Sequence, residues 1–126
     1  MLILDSGAVS VLAERSRRAL ALLVALRDEG LWPPTVPAVG LLVCLQGHAG
    51  RDAKENSFLK TCDIADVVPE SLARRAALLR RLARRGSAVD AIVVACAEPG
   101  GTVLTSDPDD LEALAAHAAD VQIERI

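Results

Sequence analysis

Aromatic residues are almost absent from this 126-residue chain: Trp32 and Phe58 are the only two, and there is no tyrosine. Their scarcity excludes a single-strand nucleic-acid binder of the aromatic-platform kind, which needs exposed rings for bases to stack on. An excess of positive charge is missing too. Fourteen Lys and Arg against seventeen Asp and Glu leave a net charge of −3 and an isoelectric point near 5.3. Uniformly basic binding is thereby excluded, whereas a local basic face working beside a metal is not. Cysteine is sparse: Cys44, Cys62 and Cys96 are odd in number and form no C-x-x-C pair. With no secretion signal, they point to a reducing cytosol and to buried thiols acting as small hydrophobes. No apolar run approaches the roughly 18 to 20 residues that a bilayer span requires. Asp5 interrupts the N-terminus where a signal peptide would carry its apolar stretch. The expectation is a soluble cytoplasmic protein that does not engage membranes.

What is present is small and aliphatic. Hydrophobic residues make up 52% of the chain, mostly Ala, Leu and Val. The length suits one domain, residues 1–126, with a core that needs no staples. Met1-Leu2-Ile3-Leu4 is too short for a helix, is soon followed by Gly7, and reads as a fully buried strand. Helices are expected over 7–14 and 16–28, the second capped by Ser16 and stopped by Gly30. A second strand is expected over 31–36, broken by Pro33-Pro34, with Pro37 opening a helix over 38–46. Then come a helix over 51–61, a strand over 64–68 ended by Pro69, and helices over 70–85 and 87–98. A buried strand over 102–105, a helix over 108–118 and an edge strand over 121–124 complete the chain. This order, with two helices in several crossovers, predicts an α/β fold whose parallel sheet is covered on both faces.

Three acids stand where such a fold gathers its chemistry. Asp5 closes the first strand at its carboxyl end, where open α/β sheets bind ligands. Asp90 lies near the start of the apolar helix in Ser87-Ala88-Val89-Asp90-Ala91-Ile92-Val93-Val94, and Asp107 follows Val103-Leu104-Thr105-Ser106. Both later aspartates also fit a plainer role. Helix N-termini favour negative charge by about 0.3 to 1 kcal/mol, and Ser106 or Asp107 suits an N-cap. Proximity separates the readings, because two carboxylates about 4 Å apart repel by roughly 4 kcal/mol at an effective dielectric of about 20. Acids that meet therefore share a proton or hold a cation, and oxygen-only ligation suits Mg²⁺ or Mn²⁺. The chemistry that follows is metal-assisted phosphodiester hydrolysis, in which the ion lowers the pKa of bound water and neutralises charge on the phosphate.

The segments Leu2-Ile3-Leu4-Asp5-Ser6-Gly7-Ala8, Val89-Asp90-Ala91-Ile92-Val93 and Leu104-Thr105-Ser106-Asp107-Pro108-Asp109-Asp110-Leu111 resemble the acidic motifs of PIN-domain proteins. More narrowly, they resemble the VapC-type toxin ribonucleases of bacterial type II toxin–antitoxin pairs. The similarity runs essentially the whole length, with three motifs in order. The resemblance implies a three-layer α/β/α sandwich with a parallel sheet of about five strands. It also implies a homodimer, Mg²⁺- or Mn²⁺-dependent cleavage of RNA, and a cognate antitoxin that covers the active site. Within it, Asp5 and Asp90 correspond to metal ligands and Asp107 to the further acid that binds metal or orients water. Asp109 and Asp110 are weaker candidates, and Ser6 is the small hydroxyl residue expected beside the first acid.

One departure stands out. The glutamate expected in the helix after strand two falls on Val43, within Leu41-Leu42-Val43-Cys44-Leu45-Gln46-Gly47, and no Asp or Glu occurs from residue 31 to residue 50. Its loss predicts weaker metal binding and poorer positioning of attacking water. Two readings stay open: a ribonuclease missing one part, and a non-catalytic module that keeps antitoxin or RNA binding. A receiver-like phosphoacceptor is a distant third. It requires paired acids after strand one and an aspartate ending the middle strand, where 64–68 runs into Pro69 instead.

Arg74, Arg75, Arg80, Arg81, Arg84 and Arg85 crowd the expected helix over 70–85. Arg74, Arg81 and Arg85 share a face opposite Leu72, Ala76 and Leu79, a pattern that argues for a solvated face over a phosphate-guiding strip. Arg51 and Lys54 would extend such a strip. His48 and His117 lack ligand spacing and read as surface residues, and Cys44, next to Val43, reads as packing. Ser6 is no nucleophile, because no histidine base is placed to serve it.

Overall fold

Leu2, Ile3 and Leu4 form the central strand of a five-stranded parallel sheet, and their alternation organises both layers around it. The computed structural model describes residues 1–126. Strand β1 (Leu2–Leu4) lies between β2 (Thr35–Pro37) and β4 (Thr102–Thr105). The order across the sheet is β3-β2-β1-β4-β5, with β3 (Asp63–Ala65) and β5 (Gln122–Arg125) at the edges. Leu2, Ile3 and Leu4 sit opposite Thr102, Val103 and Leu104.

Successive strand side chains leave opposite faces of a sheet. Leu2, Leu4 and Leu104 therefore join one core. They pack with α1 (Ser6–Ala13), α2 (Arg17–Asp28) and α4 (Ala53–Leu59) through Val9, Leu12, Leu26 and Phe58. Ile3 and Val103 face the other way. They meet α5 (Glu70–Ala83), α6 (Ala88–Ala97) and α7 (Asp109–Ala115) through Leu79, Val93, Val94, Leu111 and Leu114. Full burial of such a side chain stabilises by about 1.5 to 3 kcal/mol, so a register slip of one residue would cost several of these at once. The result is the expected three-layer α/β/α sandwich. No helix is long and apolar enough to cross a membrane.

Local signals hold where they are self-contained. Ser16 caps α2, accepting the Ala19 N–H at 3.1 Å, and Gly30 follows that helix with φ +74°. Elsewhere tertiary contacts move the boundaries. The strand expected over 31–36 shrinks to Thr35–Pro37, because Pro33 and Pro34 lack ladder donors. Pro37 ends that strand, pairing with Ala65, and is also the capping residue of the 3-10 turn that follows. The helix expected over 38–46 splits into a 3-10 turn at Ala38–Gly40 and a single turn, α3 (Leu41–Cys44). The buried Asp52 carboxylate is the cause: it draws the N–H groups of Gln46, Gly47 and His48 to itself at 2.9, 2.9 and 3.1 Å. Strand β3 starts and stops earlier than expected, and α7 runs over 109–115 only. Helix α5 ends at Ala83, since Arg84 turns left-handed at φ +57°, which removes Arg85 from the helical face shared with Arg74 and Arg81. All three cysteines are half-buried and unpaired, where fuller burial was expected.

Candidate active site

The chain leaves β1 into α1 on one face of the sheet and leaves β4 toward α7 on the other. Such a divergence opens a crevice at the carboxyl ends of the two strands. Asp5 sits there. Its N–H still bonds the Leu104 carbonyl at 3.3 Å, so the side chain begins where the ladder stops. One carboxylate oxygen accepts the Ala8 N–H at 2.8 Å, making Asp5 the N-cap of α1. The other accepts the hydroxyl proton of Thr105, a residue of 0% exposure. Thr105 Oγ1 in turn accepts the Asp107 N–H at 3.0 Å. The Asp107 carbonyl stands 3.2 Å away as a second acceptor, but one hydroxyl carries one proton, and a charged acceptor makes the stronger bond. Thr105 thus ties the first acid to the backbone of the third.

Asp90 is fixed by its own helix. It forms a capping box with Ser87: its carboxylate accepts the Ser87 N–H at 3.1 Å, and Ser87 Oγ accepts the Asp90 N–H at 3.0 Å. Helix α6 packs across β1 and β4. On the opposite wall, Gly7 permits a close approach. A Cβ there would stand 2.2 Å from Ser106 Oγ and 3.5 Å from the Asp5 carboxylate. The missing side chain lets the loop after β4 close against the first turn of α1.

Burial raises the Asp5 carboxyl above its ordinary range, hydrogen bonds from Thr105 and Ala8 oppose the rise, and repulsion from Asp90 and Asp107 adds to it. The three aspartates therefore share one electrostatic neighbourhood, and no salt bridge of the molecule involves any of them. Their hard oxygen donors suit a divalent cation such as Mg²⁺, and each Asp5 oxygen carries a single hydrogen bond, leaving a lone pair free. They do not form a closed cage: nowhere do three or more His, Cys, Asp or Glu side chains gather closely enough to hold a metal ion.

The remaining candidates divide. Ser6 opens α1, and its hydroxyl makes no hydrogen bond within the protein; the hydroxyl bonded to Asp5 belongs to Thr105. Neither Ser106 nor Asp107 caps α7, whose capping position is Pro108 with no side-chain bond. Asp109 is exposed in the first turn of α7, and Asp110 is held by Arg85 at 2.7 Å. Val43 lies on α3 with 60% exposure, beside Leu42 at 82%. The arginine strip is largely consumed internally. Arg74 pairs with Glu70, Arg75 grips Glu98 with two bonds, and Arg80 donates to the Gly86 carbonyl. Lys54 pairs with Glu14, and His48 accepts the Arg51 N–H. Thr105 and Gly7 escaped the sequence reading, although a threonine inside an apolar strand, one step past the Leu4–Leu104 register, was the available signal.

Comparison with solved structures decides the architecture. A chain of the VapBC2 complex from Rickettsia felis bound to a promoter DNA fragment superposes with a TM-score of 0.71, covering 99% of this chain and 98% of that one at 12% identity. The chain has a PIN fold. A chain of FitAB bound to an IR36 DNA fragment matches the same PIN fold with a TM-score of 0.61 and 22% identity, covering 99% of this chain and 94% of that one. FitAcB from Neisseria gonorrhoeae gives 0.61 and 22%, covering 98% and 96%. No protein-family model and no curated protein matches the sequence. At these identities the likeness is one of PIN architecture: the same layers, in the same order, along the whole chain.

Proposed function

We propose that this chain is a Mg²⁺- or Mn²⁺-dependent endoribonuclease of the VapC type, the toxin of a toxin–antitoxin pair. What supports the reading is Asp5 at the carboxyl end of β1, tied through Thr105 to the backbone of Asp107, with its carboxyl pushed up further by repulsion from Asp90 and Asp107. Asp5 and Asp90 would hold the ion, with the unfixed Asp107 joining them only by moving in, since the three do not gather closely enough without it. When bound, the ion supplies a Lewis acid and a water of lowered pKa. The protein's own contribution is positioning. Asp5 cannot swing away, because Ala8 and Thr105 each fix one of its oxygens. Asp90 is locked by the capping box. Asp107 is exposed and its carboxylate makes no hydrogen bond within the protein, so it is the acid free to orient water or accept its proton.

The partner chains named for the VapBC2 and FitAB structures support a protein partner for this chain, an antitoxin. So does an apolar groove of about 280 Å³ on α2 and α4, where Leu20, Val24, Trp32 and Phe58 lie between Arg15 and Arg27. Its cationic rim suits an acidic amphipathic segment. A homodimer acting in the cytoplasm on RNA completes the proposal.

A second reading, a PIN module that binds antitoxin or RNA without cutting, is favoured by one observation: Val43 and the lack of any acid on α3. Mg²⁺-dependent cleavage of a structured RNA by the wild type, Val43→Glu and Asp5→Asn separates the two. The expected result is weak cleavage by the wild type, a gain of about 10²-fold in Val43→Glu, where an acid can again serve the water, and none in Asp5→Asn. No cleavage from either of the first two would leave the binding module.

A further inference from the structure

An acidic crevice repels a phosphodiester, so a cation beside it has a task that the aspartates cannot perform. Arg85 is placed for that task. It occupies the turn between α5 and α6, with left-handed Arg84 (φ +57°) on one side and Gly86 (φ +93°) on the other. The turn is held by one bond and has no room for a side chain at Gly86. Arg80 Nε donates to the Gly86 carbonyl at 3.1 Å, and a Cβ on Gly86 would stand 2.8 Å from Leu114 Cδ1 and 3.8 Å from Asp90 Cβ. Arg85 thus projects from a closely packed corner next to the second acid of the site.

Its guanidinium crosses to α7, where Nε donates to Asp110 at 2.7 Å, with the two side chains 54% and 45% exposed. Beyond Asp110 the charge of Arg85 feels Asp109 and Asp107. Only Nε is engaged; the terminal Nη1 and Nη2 groups make no hydrogen bond within the protein. A guanidinium oriented through Nε, with its outer edge unpaired, presents the planar fork that grips phosphate oxygens in pairs.

We propose that Arg85 is the phosphate-positioning residue of this site, with Asp110 aiming it and its Nη edge binding a non-bridging oxygen of the nucleic-acid backbone beside Asp90 and Asp107. The inference rests on the nuclease reading of those acids, but it is tested by binding. A short fluorescein-labelled single-stranded RNA is titrated with the protein in Ca²⁺, by fluorescence anisotropy, across a range of salt concentrations. Arg85→Ala is expected to weaken binding about tenfold and to flatten the slope of log affinity against log salt by about 0.7, the release of one phosphate contact. Arg85→Lys keeps the slope but loses part of the affinity, because the fork is gone. Asp110→Asn binds as tightly as the wild type or up to about twofold tighter, since it frees the guanidinium from its counter-charge.

An unchanged slope in Arg85→Ala overturns the proposal. So does equal weakening by Arg85→Ala and Asp110→Asn, which would make the ion pair merely structural, and so does a wild type that binds no RNA. Binding that depends on Arg85 without any cleavage sustains the proposal and removes the catalytic reading. Cleavage with Arg85-independent binding does the reverse.

Discussion

Thr105→Val swaps a hydroxyl for a methyl of nearly the same shape at a fully buried position, so its effect isolates the hydrogen bonds. Two are lost. The bond to the Asp5 carboxylate is of the charged kind, contributing about 1.5 to 3 kcal/mol. The Asp107 N–H also loses its acceptor, but Asp107 is exposed and water replaces Thr105 at small cost. The expected destabilisation is about 2 kcal/mol, which over a domain of this length lowers Tm by about 8 °C. The loss has a pH signature. Thr105 stabilises the ionised form of Asp5, whose pKa in the folded protein lies above the ordinary carboxyl value of about 3.9. The wild type's advantage is therefore full at neutral pH and declines as pH falls through the raised folded pKa, toward the roughly 1 kcal/mol of a neutral hydrogen bond. Urea unfolding at pH 7 and at pH 3.5 measures both values, and Thr105→Ser should recover most of the loss. A Thr105→Val protein within about 0.5 kcal/mol of the wild type at pH 7, or a deficit that ignores pH, would refute the account of how Asp5 is held.

Other consequences follow from the same site. Mg²⁺ or Mn²⁺ at about ten times its dissociation constant should stabilise the wild type by about 1.4 kcal/mol in thermal unfolding, and Asp5→Asn or Asp90→Asn should abolish that gain. Asp5→Asn should be more stable than the wild type in metal-free buffer at pH 7. An acid with a raised folded pKa is most compatible with folding below its unfolded pKa and loses stability as pH rises through the folded one, so the difference should shrink toward pH 3.5. Asp52 has the opposite sign. Backbone N–H bonds, that of Gln46 foremost, hold its pKa below the ordinary value, so its stabilisation is present above about pH 4 and lost as pH falls further. The protection factors of the Gln46 to His48 amides, exchange measured against the intrinsic rate at each pH, should fall in that acid range in the wild type and be low at all pH values in Asp52→Ala. Val43→Glu, on an exposed turn, should change stability by no more than about 0.5 kcal/mol, so a rate gain in that variant would not reflect better folding.

What the sequence made legible was what short windows encode. The apolar runs at 2–4 and 102–105 are strands because both faces of the sheet are covered, and their ends place Asp5 and Asp107 without further help. Ser16 and Ser87 announce their helices through caps spanning three residues. The failures are contacts and reversals that no helix or strand period announces. Asp52 unwinds the chain at 46–48 from outside the window in which that helix would be judged. Thr105 meets Asp5 only through strand register, 100 residues apart. Arg85 looked helical because the pattern of arginines continues through it, yet the backbone reverses at Arg84 and hands it to α7.

The two borders of the sheet carry a consequence for self-association. The outer strand β3 is three residues long with Asp63 exposed at its start, and β5 presents exposed Gln122, Glu124 and Arg125. Charged, abbreviated margins of this kind resist the addition of a strand from a neighbouring molecule. Pairing between copies is thereby directed away from sheet extension and onto the helical layers, where Val11, Leu20, Val24, Leu42, Val43, Leu78 and Leu82 are the large apolar side chains left in solvent.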